Sequence, residues 1–141
     1  MTSRWMFRQS LALTVLAFVT TGPCSSAWAE DVLLDTRFGA NGIVSTPIES
    51  HALAIQADGR IIVVGAINGD FGVVRYNVDG SLDVTFGQGG VVQTDLGGND
   101  SADQVVLSDD GRILVGGAAG LARYNADGSL DAGFGIGGLV T

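Results

Sequence analysis

The chain has 141 residues and a formal net charge of −8, and it contains one histidine and one cysteine. An acidic surface without lysine repels nucleic acid and anionic lipid, so we expect no nucleic-acid partner. One histidine cannot build a multi-histidine metal site, and one cysteine cannot build a disulfide framework, so we expect neither of these, and we expect no cofactor.

The first 29 residues have the organisation of a secretory signal peptide. Two arginines precede the short apolar run Leu11–Val19, and a small-residue stretch then closes on Ala27-Trp28-Ala29. The apolar run falls well short of the roughly 20 residues that span a bilayer, so we predict cleavage after Ala29 and no membrane span in the mature chain. Residues 30–141 would then be secreted, periplasmic or held in the cell envelope, and Cys24 would be lost with the leader.

The mature chain is built from a sequence repeat. Nine residues that begin at Arg75, RYNVDGSLD, return as RYNADGSLD beginning at Arg123, 48 residues later. A Phe-Gly pair recurs with the same step, at Phe38, Phe86 and Phe134. A fixed period of this size indicates a repeat architecture, in which one supersecondary unit packs on copies of itself. We place the repeats at roughly 47–94 and 95–141.

Short β-branched runs alternate with Asp-Gly or Asn-Gly pairs in both repeats, and such pairs favour tight hairpins because primed turns need positive φ. The predicted strands of the first repeat are Ala52–Ile55, Ile61–Val64, Phe71–Tyr76 and Gly90–Thr94. Those of the second are Val105–Leu107, Ile113–Val115, Leu121–Tyr124 and Gly138–Thr141. The run Ile61–Val64 is apolar at every position, which is typical of a strand covered on both faces.

Four short antiparallel strands per repeat, without helical periodicity, predict an all-β fold of β-propeller-like blades. A third copy of the last-strand motif, Gly42–Thr46, has no repeat of its own, so we predict two full repeats plus an extra strand, which is an incomplete propeller. Closed propellers have roughly four to eight blades. The domain would then be a fragment of a larger propeller, or a homo-oligomer in which three chains supply six blades and Gly42–Thr46 completes the last blade of a neighbour.

Several recurring side chains are predicted to hold the blades together. We expect the hydrophobic core to lie between the blades, since the apolar strands need cover on both faces. The equivalent aromatic residues are expected in equivalent pockets: Tyr76 with Tyr124, and Phe86 with Phe134. Arg75 and Arg123 recur beside aspartates, and a structural ion pair is the interpretation that we favour over a ligand clamp.

Three phrases of the chain resemble the delta-60 repeat of bacterial secreted and surface proteins: Asp58-Gly59-Arg60-Ile61, the nine residues from Arg75, and Phe86-Gly87-x-Gly89-Gly90-x-Val92. The resemblance covers residues 33–141 and implies β-propeller-like domains in an envelope or extracellular setting. It implies no general enzymatic activity and no fixed ligand. The second copy departs from the first at Ala119, which aligns with Phe71, and in a shorter hairpin.

Two oxygen-rich stretches are candidate cation sites. The loop Asn77–Asp83 superficially resembles a calcium loop, but Arg75 and Phe86 occupy positions that need oxygen ligands, so we interpret it as a hairpin turn. Asp95, Asp100 and Asp103 form the densest acidic stretch, for which a solvated loop is the favoured interpretation and weak calcium binding the alternative.

Nucleotide binding and nucleophilic catalysis have little support. The glycines of Phe86–Gly90 lack the helix and the lysine that a phosphate loop needs. His51 is the one imidazole, and no motif places it in a Ser-His-Asp site. We therefore assign no catalytic, cofactor-binding or metal-binding residue.

The sequence favours a non-catalytic secreted module that binds or scaffolds an unknown protein or glycan partner. The alternative is a secreted carbohydrate-active enzyme using paired aspartates, or a lectin-like propeller assembled from several copies.

Overall fold

A computed structural model describes residues 33–141, and in this range the chain forms two antiparallel sheets of four strands and no helix. Blade 1 consists of β1 (Glu49–Ile55), β2 (Ile61–Ile67), β3 (Asp70–Tyr76) and β4 (Val91–Thr94), in that spatial order. Blade 2 consists of β5 (Gln104–Leu107), β6 (Ile113–Gly117), β7 (Gly120–Tyr124) and β8 (Leu139–Val140), in the same order. The predicted all-β fold of two blades is confirmed, and the two sheets do not close into a ring. The predicted leader lies outside the described residues.

The hairpin between β2 and β3 shows how a local pattern sets a strand register. Asn68 and Gly69 both have positive φ, of 53° and 86°, as a two-residue primed turn requires. Ile67 therefore pairs with Asp70, and six more consecutive pairs follow. The equivalent hairpin of blade 2 is shorter, with five pairs between β6 and β7, as the spacing of its motifs predicts.

The segment Gly42–Thr46, predicted as an extra strand, forms no strand. It belongs to residues 35–48, here called the N-terminal segment, in which one isolated bridge joins Ala40 to Ile43. Among the described residues, both sheets are complete without it, and no further strand is present for it to pair with. Instead, Phe38 and Val44 pack against the outer face of blade 1. The segment still repeats the local turn of the two blades, since Arg37 N–H donates to Asp35 Oδ1 at 3.0 Å.

The main hydrophobic core lies between the two blades, as predicted. It consists of ten buried residues from both sheets and the loops that join them: Ile62, Val64, Phe71, Val73, Phe86, Ala102, Ile113, Val115, Ala122 and Tyr124. Alternate residues of β2 point the other way, and Ile61 and Val63 pack with the N-terminal segment in a second cluster. The run Ile61–Val64 is therefore covered on both faces, as its composition indicates.

One expectation about the aromatic residues is only half correct. Tyr76 and Tyr124 are both buried, but Phe86 is fully buried between the blades while Phe134 is half-buried. The reason is positional, because Phe134 lies on the face of blade 2 that no other blade of the described part of the chain covers. The two phenylalanines therefore do not occupy equivalent pockets.

Candidate functional site

The repeated arginine of each blade forms an ion pair with the repeated aspartate. Arg75 Nε donates to Asp83 Oδ2 at 2.8 Å, and its guanidinium carbon lies 4.5 Å from the centre of the Phe86 ring. Arg60 Nε approaches the same carboxylate oxygen at 3.2 Å. Blade 2 repeats the whole arrangement with Arg123, Asp131, Phe134 and Arg112. These contacts are those of a structural brace, which is the interpretation that the sequence favours.

Hydrogen bonds keep the brace aspartate ionised. The Thr85 hydroxyl donates to Asp83 Oδ1 at 2.6 Å, and the Thr85 N–H donates to the same oxygen at 3.1 Å. These bonds, together with the charge of Arg75, hold the pKa of Asp83 below its usual value, with the hydroxyl bond as the largest cause. A carboxylate held this way is available to the brace at neutral pH.

The three Phe-Gly segments are residues 38–44, 86–92 and 134–140, and each of the first two bonds to the blade that follows it in the chain. Gly87 N–H donates to Asp127 O of blade 2 at 2.8 Å, and Gly39 N–H donates to Asp79 O of blade 1 at the same distance. We call Asp79-Gly80 and Asp127-Gly128 the docking turns, and each contact between a Phe-Gly segment and a docking turn a seam. The glycine-rich stretch Phe86–Gly90 therefore contributes to blade packing. A phosphate loop would have required a helix after it.

Close approach at the seam explains why the docking turns contain glycine. A Cβ atom at Gly128 would lie 2.9 Å from Gly87 N and 3.0 Å from Phe86 Cε2. The φ of Gly128 is also positive, at 91°, which a side chain disfavours. Arg75 Nη1 adds a bond across the same seam, to Ala126 O at 2.6 Å.

In the loop Asn77–Asp83, which superficially resembles a calcium site, the polar side chains form hydrogen bonds with donors of the same loop. Asp79 Oδ1 accepts from the N–H of Ser81 at 2.9 Å and from its hydroxyl at 2.6 Å, and Asn77 Nδ2 donates to Ser81 Oγ at 3.0 Å. The hydroxyl bond is the largest cause of the lowered pKa of Asp79. The oxygens of this loop therefore cap groups within the turn, as in the hairpin-turn interpretation.

A cleft of about 650 Å³ opens beside the β2–β3 hairpin. It is lined by that hairpin, by the start of β1 and by the connection between the blades, which contributes Asn99, Asp100 and Ser101. His51 also lines it, and its Nδ1 lies 2.7 Å from Ser101 Oγ and 3.1 Å from Asp103 Oδ1. A catalytic triad needs the serine and the aspartate on opposite ring nitrogens. Here both contact the same nitrogen, so the three residues do not form a proton relay of that kind.

The predicted acidic stretch divides in two. Asp95 and Asp100 meet Asp70 of the β2–β3 hairpin, with one oxygen of each within 4.8 Å of the others, while Asp103 pairs with His51 instead. Each of the three clustered carboxylates already accepts a bond: Asp70 from Gln93 Nε2, Asp95 from Gly97 N–H and Asp100 from Leu96 N–H. Hard cations such as calcium prefer oxygen ligands of this type, so the cluster is the chemically suitable place for one.

Sequence reasoning missed Asp70 as a member of this cluster. It lies 25 positions from Asp95 in the chain, and only the pairing of β3 with β4 brings it near. The Asn-Gly turn before it was a visible signal, because it fixed the hairpin at whose end Asp70 lies.

No helix of the described residues is long and apolar enough to cross a membrane.

Residues 56–86 and 109–134 match the model of a family described as a domain of unknown function (DUF5122) beta-propeller. Both matched segments contain the brace arginine, the brace aspartate, the docking turn and the first residue of a Phe-Gly segment. Comparison with curated proteins found no match, and comparison with solved structures found none either. The chain is therefore a repeat domain of the β-propeller type.

Proposed function

We propose that the chain is a non-catalytic, exported module of the delta-60 repeat type, part of a larger propeller, that binds or scaffolds a protein or glycan partner. One observation carries the proposal: the polar residues that the repeats share are bonded to one another within a blade or across a seam. Arg75 binds Asp83, Asp79 caps Ser81, and Gly87 docks on Asp127. The repeated chemistry is therefore used in construction, which leaves the residues that differ between the repeats for recognition.

The cleft beside the β2–β3 hairpin is the proposed binding surface. It is formed where the repeats differ, by the longer hairpin around Asn68 and by the longer connection around Asn99. Its volume falls within the range of about 300–1,000 Å³ that ligand sites occupy. Its lining offers amide, hydroxyl, imidazole and carboxylate groups and no Phe, Tyr or Trp ring. A glycan bound here would therefore be held by hydrogen bonds from its hydroxyl groups and not by ring stacking.

A glycan array probed with the purified full chain tests this proposal. The expected result is binding to a defined group of oligosaccharides that is lost in Asn99→Ala, a substitution within the cleft. The control is Gln88→Ala, which changes an exposed amide of similar size in a Phe-Gly segment outside the cleft. Binding that is equally strong in all three proteins would place recognition elsewhere and contradict the proposal.

The enzyme alternative would have to use the acidic cluster. Its oxygens, within 4.8 Å of one another, lie near the roughly 5–5.5 Å that separates the carboxylates of retaining glycosidases. Each carboxylate, however, accepts a bond from the local backbone or from Gln93. Release of shortened oligosaccharides by the full chain, abolished by Asp95→Asn, would favour the enzyme over the binding module.

Export is tested separately. The full chain with a C-terminal tag, produced in a bacterial host, should be recovered outside the cytoplasm. Its measured mass should equal that of a tagged chain whose first residue is Glu30. Recovery of the uncleaved chain in the cytoplasm would contradict the proposed export while leaving the binding role to be tested by the array.

A further inference from the structure

Blade 2 has a face that matches one already buried inside the molecule. In blade 1, Val73 is fully buried where blade 2 covers it, and Val92 packs beside it. The equivalent residues of blade 2 are Leu121 and Val140, and they are 38% and 43% exposed. We call the surface around Leu121, Val140 and Val106 the trailing face. It has the apolar character of a covered blade face without the cover.

Blade 1 has the complementary face, which among residues 33–141 only the N-terminal segment covers. We call it the leading face. Ile55 on it is 61% exposed, although the equivalent Leu107 of blade 2 packs into the core between the blades. The Tyr76 hydroxyl is buried and has no hydrogen-bond partner among the described residues, whereas the equivalent Tyr124 hydroxyl donates to Thr94 Oγ1 at 2.8 Å. A cavity of about 30 Å³ remains beside Tyr76. The N-terminal segment therefore fits this face less completely than a blade fits its equivalent.

The hydrogen bonds of the seam also indicate that blade 2 lacks a partner among the described residues. The described residues contain three Phe-Gly segments but only two docking turns, Asp79-Gly80 and Asp127-Gly128. Gly39 and Gly87 use both turns, so the N–H of Gly135 has no acceptor among residues 33–141. Beside it, Ile136 is 90% exposed. A docking turn on another molecule would satisfy this donor.

We propose that the trailing face of blade 2 docks on the leading face of blade 1 in a second copy of the chain. Residues 134–140 would take the place of residues 38–44 on the docking turn Asp79-Gly80 of that copy, and the contact would reproduce the blade 1–blade 2 interface. Arg123 would then donate to Val78 O of the second copy, as Arg75 donates to Ala126 O within one chain. The proposal goes beyond the proposed function, because it depends on the two faces and not on any ligand of the cleft.

A contact of this kind joins different surfaces of the two copies, so it propagates until a ring closes. With two blades in each chain, propellers of roughly four to eight blades correspond to two to four copies. The strand Gly42–Thr46, expected to complete a neighbour's last blade, would not be needed for this, because blade 2 has its own fourth strand.

Sedimentation velocity of the full chain over a range of concentrations tests the proposal. Wild-type protein should sediment as a multiple of the chain, and Leu121→Asp should sediment as a monomer. Val84→Asp is the control, because it adds the same charge at an apolar residue that is 69% exposed and is not among the residues that define either face. It should associate like wild type. A wild-type monomer at every concentration, or Leu121→Asp that associates like wild type, would overturn the proposal.

Mixing two variants distinguishes a head-to-tail contact from a symmetric one. Ile55→Asp disables the leading face and Leu121→Asp disables the trailing face, so each variant alone should be monomeric. An equimolar mixture still contains one intact face of each kind and should form a dimer of the two variants. Circular dichroism checks that both variants are folded. Folded variants that remain monomeric in the mixture would overturn the head-to-tail arrangement.

Discussion

Two glycine-to-alanine substitutions separate the cost of backbone strain from the cost of disturbing the seam. Gly128 and Gly111 both follow an aspartate in a tight turn, and their φ values are close, at 91° and 85°. An alanine in this left-handed region costs about 1–2 kcal/mol at either position. Any larger loss at Gly128 must therefore come from its surroundings.

The surroundings of the two glycines differ strongly. A Cβ at Gly128 would lie 2.9 Å from Gly87 N and 3.0 Å from Val92 Cγ2, whereas at Gly111 the nearest atom is Ala126 Cβ, at 3.6 Å. Overpacking of this kind costs about 1–3 kcal/mol, and losing the Gly87–Asp127 bond costs about 0.5–1.5 kcal/mol more. We expect Gly128→Ala to lose about 1.5–4.5 kcal/mol more unfolding free energy than Gly111→Ala.

Urea unfolding followed by circular dichroism measures both losses, and the slope of the free energy with urea should be the same for wild type and variants. If Gly128→Ala and Gly111→Ala lost equal amounts of free energy, the two blades would not be in close contact at this turn, and the reasoning would be refuted.

Four further predictions concern the buried aromatic and acidic residues. Tyr124→Phe should lower the unfolding free energy by about 1–3 kcal/mol because its buried partner is left unpaired, whereas Tyr76→Phe should leave it unchanged or raise it. Equal losses in urea unfolding would contradict this. Burial raises the pKa of Tyr124 to about 12. Stability should therefore hold up to about pH 10, where unfolded tyrosine ionises, and fall between there and about pH 12, as followed by tyrosinate absorbance. The pKa of Asp83 is lowered, so its contribution is present above about pH 4 and lost as the pH falls through the folded-state value. Urea midpoints should drop there, and less steeply in Asp83→Asn. Phe86→Ala should cost about 3–5 kcal/mol in unfolding free energy and Phe134→Ala clearly less, since only Phe86 is fully buried.

The strands and their burial could be predicted because their signals are local. The primed turn at Asn68-Gly69 fixes one hairpin, and the unbroken apolar run Ile61–Val64 indicates cover on both faces. A structural ion pair between the recurring arginine and a nearby aspartate could also be predicted, because Arg75 and Asp83 recur at the same spacing in both repeats.

Features that depend on a neighbouring blade could not be predicted from the repeat. Phe134 has the same local sequence as Phe86, but only Phe86 has a blade beside it. Gly42–Thr46 has the sequence of a fourth strand, but residues 33–141 contain no further strand for it to pair with. The meeting of Asp70 with Asp95 required the register of β3 against β4, which spacing alone does not give.

The seam between the blades is tested most directly by amide hydrogen exchange, measured by nuclear magnetic resonance on the full chain. Gly87 N–H donates across the seam to Asp127 O, whereas Gly111 N–H donates within its own exposed turn to Ser108 O, at 2.9 Å. Gly87 should exchange only when the whole domain unfolds, with a protection free energy close to that of global unfolding, and Gly111 should exchange through local opening. Exchange of Gly87 as fast as that of Gly111 would show that the blades are not joined at this bond.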